Sequence, residues 1–481
     1  MGISARMHMG IDPRTARLAA VTLAAAFLAG CTTFAPDGGF DEVRKLTSER
    51  IGQEVRWQRT DEDAQSAAAQ VKQLLARPLS ADDAVQIALL NNPGLQASYA
   101  ELGIADADVV QAGRIGNPRF AYLRTKHGDE RKLEWALTFP IFDLITMPFK
   151  MNVAGRQFER AQLEAARSAL DVAIETRKAW VAAVAAEETV RYMEQVRETA
   201  EASAELARRM ARAGNFPRLT QMREQVFYAE TVAQLARARQ AAVAERERLV
   251  RLMGLYGEDV RFRLPERLPD PPASLPERGD VESVAIAQRL DIRAARRDTE
   301  GLAESLGLTK TTRFINAFEI GPARTKEDPE PWKDGFEISL EIPLFDWGGA
   351  KVARAEATYM QSVNRVAETA VNARSQVRES YSAYRTAYET ARHYREEIVP
   401  LRKRISEEQL LRYNGMLISV FELLADAREQ VASVNAAIES LREFWTAEAD
   451  LQAALNGAGA MRAGGAARAV AMPASGARAG H

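Results

Sequence analysis

Cysteine is almost missing from this sequence. A single thiol, Cys31, occurs in 481 residues, which excludes a disulfide framework, thiol catalysis and cysteine-based metal sites from the rest of the chain. Histidine is nearly as scarce, at 4 residues, and no pair of them has metal-ligand spacing. Charge of one sign is also lacking: 64 Lys and Arg oppose 66 Asp and Glu for a formal net charge of -2. That balance offers no global attraction to nucleic acid or acidic lipid. No nucleophile elbow, phosphate loop or isolated carboxylate pair stands out from the charge-rich background, so the residues point away from an enzyme, and no cofactor is implied.

A long hydrophobic run is absent too. The apolar stretch from Leu18 to Ala29 is too short for an ordinary bilayer span and follows Arg14 and Arg17, the order of an export signal. Leu28-Ala29-Gly30-Cys31 fits a lipoprotein processing box, in which residues 1-30 are removed and the Cys31 thiol is acylated. The anchor would hold far more firmly than one acyl chain. Thr32, where an aspartate would favour inner-membrane retention, points to the outer membrane. A plain cleaved signal with a chance cysteine is the alternative.

What is present is a repeat. Thr138-Phe139-Pro140-Ile141-Phe142-Asp143 is answered by Glu341-Ile342-Pro343-Leu344-Phe345-Asp346, 203 residues on. Arg212-Ala213-Gly214-Asn215-Phe216-Pro217 is answered by Tyr413-Asn414-Gly415-Met416-Leu417-Ile418, 201 residues on. A weaker match joins Ala84-Val85-Gln86-Ile87-Ala88-Leu89 to Ser283-Val284-Ala285-Ile286-Ala287-Gln288. Three signals in one order predict a duplicated module, with repeats over 79-260 and 280-456. The Pro-rich stretch 261-279 is the linker, 31-78 an extended lipid-anchored segment, and 457-481 a disordered tail.

Each half carries short alternating segments. Leu133, Trp135, Leu137 and Phe139 alternate with Glu134, Ala136 and Thr138, and Phe336, Ile338, Leu340 and Ile342 alternate with Glu337, Ser339 and Glu341. A period of two puts apolar groups on one strand face and carboxylates on the other, as a strand between lipid and a wet lumen requires. The partner strands are less regular, read over 119-126 and 313-320, with turns over Lys126-Arg131 and Gly321-Gly335. Four strands cannot close a membrane barrel, so several chains must contribute. An ordinary soluble sheet packed on helices is the competing reading.

The helices are extreme. From Phe149 to Ala213 there is no proline, and Gly155 is the one glycine before the end; sixty-odd helical residues would span on the order of 100 Å. The second half repeats this from Ala350 to Asn414, broken only by Pro400, and return helices follow over Leu219-Leu255 and Val420-Leu455. Small apolar residues such as Ala165, Ala166, Ala169 and Ala173 suit narrow packed ridges. A filamentous coiled coil without a channel shares these features.

In sum of residues, the chain resembles the TolC/OprM-like outer-membrane factor family over about Leu79 to Asn456. The likeness rests on Leu79, Ala84, Ala88, Leu89, Asn92, Pro93 and Leu95, on Ala112, Asn117 and Pro118, on Pro140, Phe142, Pro343, Phe345, Asp346 and Gly349, and on Gly214 and Gly415. The resemblance implies an all-α chain with a membrane β-barrel portion: a homotrimeric α/β barrel, four strands per protomer, continuing into a long α-helical periplasmic tunnel. It implies a passive efflux duct that docks with a periplasmic adaptor and an inner-membrane pump, with no metal or cofactor of its own. The turns at Gly214 and Gly415 would meet the adaptor, and Trp135, Leu137, Phe336, Ile338 and Leu340 would face outer-membrane lipid. Family acidic positions after the second turn match Glu422, whereas the next falls on Ala425, with Asp426 one place later; both carboxylates are entrance candidates, Glu422 the better. The anchor and short hairpin links resemble the multidrug and metal-efflux branch. The scattered Met147, Met151, Met193, Met210 and Met222 read as packing, not as a soft-metal relay. A structural coiled-coil lipoprotein is the runner-up, though it leaves the hairpins unused.

Intact mass of membrane-extracted protein should show loss of residues 1-30 and an acylated Cys31. A chain that keeps Met1 in an exporting host would refute the processing site.

Overall fold

The computed structural model describes residues 33-459 except 215, 216, 277, 278, 315, 316 and 342, and of Val420 and Phe421 only the backbone. The leader 1-30, Cys31 and the tail beyond 459 lie outside the described residues. The elements run α1 (Phe40–Ile51), α2 (Asp61–Leu75), α3 (Ala81–Asn91), α4 (Pro93–Ala112), β1 (Arg119–His127), β2 (Glu130–Pro140), α5 (Ile141–Arg212) and α6 (Arg218–Met253). They continue as α7 (Val281–Gln288), α8 (Leu290–Thr312), β3 (Phe318–Glu327), β4 (Lys333–Leu340), α9 (Gly349–His393), α10 (Val399–Asn414) and α11 (Val420–Asn456). The order helix, helix, hairpin, long helix, return helix thus occurs twice.

Two compact units divide the chain by space, not by sequence half. The first draws on residues up to 41, on 100-162 and on 294-367, and contains one sheet of order β1-β2-β3-β4, antiparallel throughout. Helices enter and leave the sheet at the same end, because α4 and α8 precede β1 and β3 while α5 and α9 follow β2 and β4. Both hairpin links therefore lie at the other end. In the same unit α5 holds α8 by Arg160 to Asp298 at 2.7 Å and Arg156 to Glu304 at 3.4 Å.

The third strand departs from the sequence reading. It spans Phe318–Glu327, not 313-320, and runs through Gly321 and Pro322, which had marked a turn. Close approach explains the glycine: a Cβ on Gly321 would lie 1.7 Å from the Leu137 carbonyl oxygen. Turn-forming residue types are here strand residues because the neighbouring backbone demands a missing side chain. The link between β3 and β4 shrinks accordingly to 328-332.

The second unit takes 42-99, 163-293 and residues from 368 onward. Its main core packs Leu79, Ala84, Ile87, Ala88 and Leu90 against Ala179, Val184, Leu249 and Met253. Trp180 Nε1 donates to the Leu79 carbonyl at 2.8 Å, giving the indole the polar partner its burial requires. Along α5, Ala165, Ala166, Ala169, Leu170 and Ala173 are buried, the narrow ridge expected of small side chains. A second core gathers Tyr384, Tyr388 and Phe444, with the Tyr384 and Phe444 rings stacked at 5.6 Å.

The proline-rich stretch after α6 is no loose tether. Phe262 and Leu268 are buried in the main core, and backbone carbonyls of the stretch accept side-chain donors. Trp445 Nε1 donates to Pro269 O at 2.9 Å, and Tyr388 Oη to Pro272 O at 3.0 Å and Ala273 O at 2.9 Å. Residues 33-78 also differ from the expected extended segment, since α1 and α2 are helical. Thr60 and Asp63 form a capping box ahead of α2, and Ala67 and Val71 are buried. Pro400 is accommodated by a five-residue π turn, Tyr394–Ile398, which relaxes the backbone where proline has no N–H and its ring crowds the preceding turn.

A second capping box starts α3. Ser80 Oγ accepts from Asp83 N at 3.1 Å, while the Asp83 carboxylate accepts from Ser80 Oγ at 2.7 Å and from Arg77 Nη2 at 2.6 Å. Burial pushes the Asp83 carboxyl up, but those hydrogen bonds and the Arg77 charge outweigh it and hold it below the ordinary 3.8. A depressed folded value means that this contribution to stability is present above pH 3.8 and lost as pH falls through the folded value. Asp83→Asn should therefore lower the denaturation midpoint at neutral pH and flatten its decline in acid; a variant with an unchanged acid profile would remove Asp83 from that linkage.

Candidate functional site

The sheet has two chemically distinct faces, and its register sorts them. Arg124, Leu133 and Lys326 form one cross-strand row. Tyr122, Trp135, Arg324 and Asp334 form the next on the same face. Below them come Phe120 beside Leu137 and Pro322 beside Phe336, then Phe139, Ile320 and Ile338, then Phe318 and Leu340. Lys126 and Arg131 cap the series at the hairpin end. Trp135, Leu137, Phe336, Ile338 and Leu340 thus share one face, where Phe336 is 82% and Ile338 63% exposed.

The opposite face is more polar, and its cations are paired with carboxylates. Arg119 pairs with Glu319 at 3.3 Å, and Thr138 Oγ1 donates to the same carboxylate at 2.9 Å. Lys132 bridges Glu134 and Glu327. Small residues, Ala121, Ala136, Ala323, Gly321 and Gly335, lie among these polar groups, and Leu123 is the large apolar side chain on this face. Both edge strands, β1 and β4, pair with one neighbour only. No helix among the described residues is long and apolar enough to cross a membrane.

In the second unit, two helical turns close the hairpins α5-α6 and α10-α11. Gly214 takes φ +79°, the left-handed conformation expected at that helix end, and its N–H donates to Ala211 O at 3.1 Å. Asn215 and Phe216 lie outside the described residues. The second turn is built differently: Gly415 has φ -77°, and Met416 is the left-handed residue, with φ 58°. Met416 N donates to Tyr413 O and Leu417 N to Arg412 O, both at 2.9 Å, a Schellman closure. Its apex is apolar, since Met416 is 94% and Leu417 78% exposed.

The two candidate entrance carboxylates have unlike surroundings. Glu422 is exposed in the first turn of α11, and its N–H donates to the Ser419 N-cap oxygen at 3.4 Å, a position where the helix dipole favours a negative charge. Asp426, one turn on, is buried, with Oδ2 lacking a hydrogen-bond partner. A residue that sequence reasoning missed lies near: Glu224 on α6, 3% exposed. It accepts from Arg428 Nη2 on α11 at 2.8 Å and from Ser203 Oγ on α5 at 2.9 Å, so it joins three helices. Arg428 also lies over the Phe227 ring, 4.5 Å from its centroid. Nothing in the sequence separated this glutamate from dozens of solvated ones. No cluster of three or more His, Cys, Asp or Glu suited to a metal ion occurs among the described residues.

No family model matches the chain, and no curated protein does. Solved structures do. A membrane protein from Pseudomonas aeruginosa aligns with a TM-score of 0.68 at 19% identity, over 81% of this chain and 92% of that one. The CmeC outer membrane channel of Campylobacter jejuni gives 0.66 at 15% identity, over 86% and 91%. The outer membrane protein VceC of Vibrio cholerae gives 0.63 at 18% identity, over 84% and 98%. The chain therefore has the fold of outer-membrane channel proteins, as its resemblance to the TolC/OprM-like family implied.

Removing Glu224 would leave the Arg428 guanidinium without its carboxylate in a half-buried position. Glu224→Ala should cost about 2 kcal/mol, the penalty of stranding a charged hydrogen-bonding group, read as a lower denaturant midpoint. An unchanged midpoint would mean that the three helices do not depend on this carboxylate.

Proposed function

We propose that the protein is the outer-membrane channel of a tripartite efflux system, passively conducting substrates delivered by an inner-membrane pump through a periplasmic adaptor. The observation that carries this reading is the two-faced sheet with both edges open. Four strands expose an apolar face and leave β1 and β4 half-paired. In hydrocarbon an open edge strands backbone donors and acceptors, so closure needs further strands. A homotrimer supplies twelve, with the apolar rows of Trp135, Leu137, Phe336, Ile338 and Leu340 toward lipid and the ion-paired face toward the lumen.

The long helices then continue the barrel as a periplasmic tunnel. The halves 79-260 and 280-456 act as two copies of one module joined by 261-279, and acylated Cys31 adds an outer-membrane anchor. The turns at Gly214 and Gly415 form the adaptor-facing tip, where Met416 and Leu417 offer an apolar contact. Glu422, exposed at the start of α11, is the entrance carboxylate; three copies would form a ring favouring cations. Asp426, being buried, plays a lesser part. A coiled-coil scaffold would share the helices, but it gives the exposed apolar sheet face no partner.

Reconstitution in a planar bilayer tests the assignment. Wild-type trimer should form long-lived pores, and Glu422→Gln or Glu422→Ala should lower cation preference or raise conductance at low salt. Unaltered selectivity and conductance would take Glu422 out of the entrance, whereas no pore from an assembled trimer with adaptor present would favour the scaffold.

A further inference from the structure

We propose that Arg124, Lys126 and Arg131 form a binding site for the phosphate groups of an anionic outer-leaflet glycolipid, held against the outside of the sheet at its hairpin end. The inference rests on the channel reading, which places the apolar face toward lipid. Three observations carry it. The first is layering. On the apolar face, rows of aliphatic and aromatic side chains give way to the row of Tyr122 and Trp135, which also holds the Arg324–Asp334 pair, then to Arg124, Leu133 and Lys326, and one row further to Lys126 and Arg131. That is the order of hydrocarbon, aromatic girdle and headgroup across a bilayer boundary.

The second is a set of cations without carboxylate partners, confined among the strand residues to this face. On the polar face Arg119, Lys132 and Lys333 each have a carboxylate partner. On the apolar face Arg324 is engaged by Asp334, and Lys326 by Asp328 at 3.2 Å. Arg124, Lys126 and Arg131 enter no ion pair among the described residues, and the face has no further strand carboxylate to offer.

The third is a like-charge contact. Lys126 and Arg131 are direct cross-strand partners, and Arg124 lies two residues from Lys126 on the same face. Opposed cations at a separation of about 5 Å destabilise a hairpin unless an anion lies between them. A phosphate supplies the missing counter-charge, with Arg forming paired hydrogen bonds to its oxygens and Lys a point charge. The exposed Phe120 and Tyr122 below would receive the acyl chains of the same molecule.

The test compares wild type with Arg124→Gln/Lys126→Gln/Arg131→Gln and with Arg124→Lys/Arg131→Lys. Each is reconstituted in phosphatidylethanolamine vesicles containing a minor fraction of diphosphoryl lipid A, then extracted gently for native mass spectrometry. Resistance to an alkaline wash reports insertion in the same samples. Wild type should retain lipid A; each cation near the surface contributes roughly fivefold, so the triple neutral variant should retain it on the order of 100-fold more weakly. The lysine variant should keep most of the binding, and dephosphorylated lipid A should not be retained. Equal retention by wild type and the neutral variant, or retention of the dephosphorylated lipid, overturns the site. Displacement by free inorganic phosphate also overturns it, by assigning the cations to a soluble anion. If neither protein inserts, the barrel reading fails and takes the site with it; insertion without lipid A retention leaves the channel standing and removes only this proposal.

Discussion

Helices as long and as narrow as these depend on how their ends are fastened, and both return helices end in the same device. A residue from the junction between the two short helices at the start of each half reaches the terminal carbonyls of the return helix. In the first half Asn91 Nδ2 donates to Met253 O at 3.1 Å and Gly254 O at 2.8 Å, and Asn92 Nδ2 to Leu252 O at 2.8 Å. In the second, Arg289 Nη1 donates to Ala454 O at 2.8 Å while its other nitrogens grip Asp291 at 3.0 and 2.7 Å. Each helix then stops at a left-handed glycine, Gly254 or Gly457, pressed so close that a Cβ would lie 2.5 Å from Asn91 O or 2.4 Å from Asp291 Oδ1. Orphan carbonyls that would face a buried junction are satisfied there.

Chemistry differs between the two latches while geometry is kept. Neutral amides serve the first half and a guanidinium 1% exposed serves the second, so only the second buries charge. A buried pair of this kind contributes modestly when complete and costs several kcal/mol when one partner is lost, because the other charge remains out of water. The asymmetry continues in the cores: the first latch adjoins aliphatic and alanine packing, the second a cluster of Tyr384, Tyr388 and Phe444. The two halves have thus been filled with different side chains, and the proline-rich stretch between them is bound by donors from both, Arg191 and Arg246 from the first and Tyr388 and Trp445 from the second.

Periodicity made most of this legible. The strands β2 and β4, the long helices and the glycine at the first turn were readable because each rests on a local rule: alternation, propensity or a left-handed helix end. Where a distant contact decides, the sequence was silent or misleading. Gly321 and Pro322 look like a turn until the Leu137 carbonyl is seen against Gly321. At the second turn glycine sits one residue early, and Met416 accepts a left-handed conformation that costs an L side chain on the order of 1 kcal/mol. The buried roles of Glu224 and Arg289 are set wholly by partners far along the chain, so no spacing rule could single them out.

The same asymmetry between local and distant control bears on ion selectivity in the proposed channel. In that proposal the polar face of the sheet would line the lumen, with Glu130, Glu134, Glu319, Glu327 and Glu337 against Arg119, Lys132 and Lys333. Three copies would surround the barrel lumen with an excess of negative charge before any contribution from the entrance. In a lumen wider and wetter than the entrance, each of those charges would act through a high dielectric and weigh less than a carboxylate in a narrow ring. Selectivity of the proposed channel would therefore have two tiers: a weak, salt-screened cation preference in the barrel, and a stronger one where three copies of Glu422 would converge. Entrance substitutions should act on the second tier alone, so a residual cation preference in a Glu422 variant reflects the barrel wall and is consistent with a carboxylate gate.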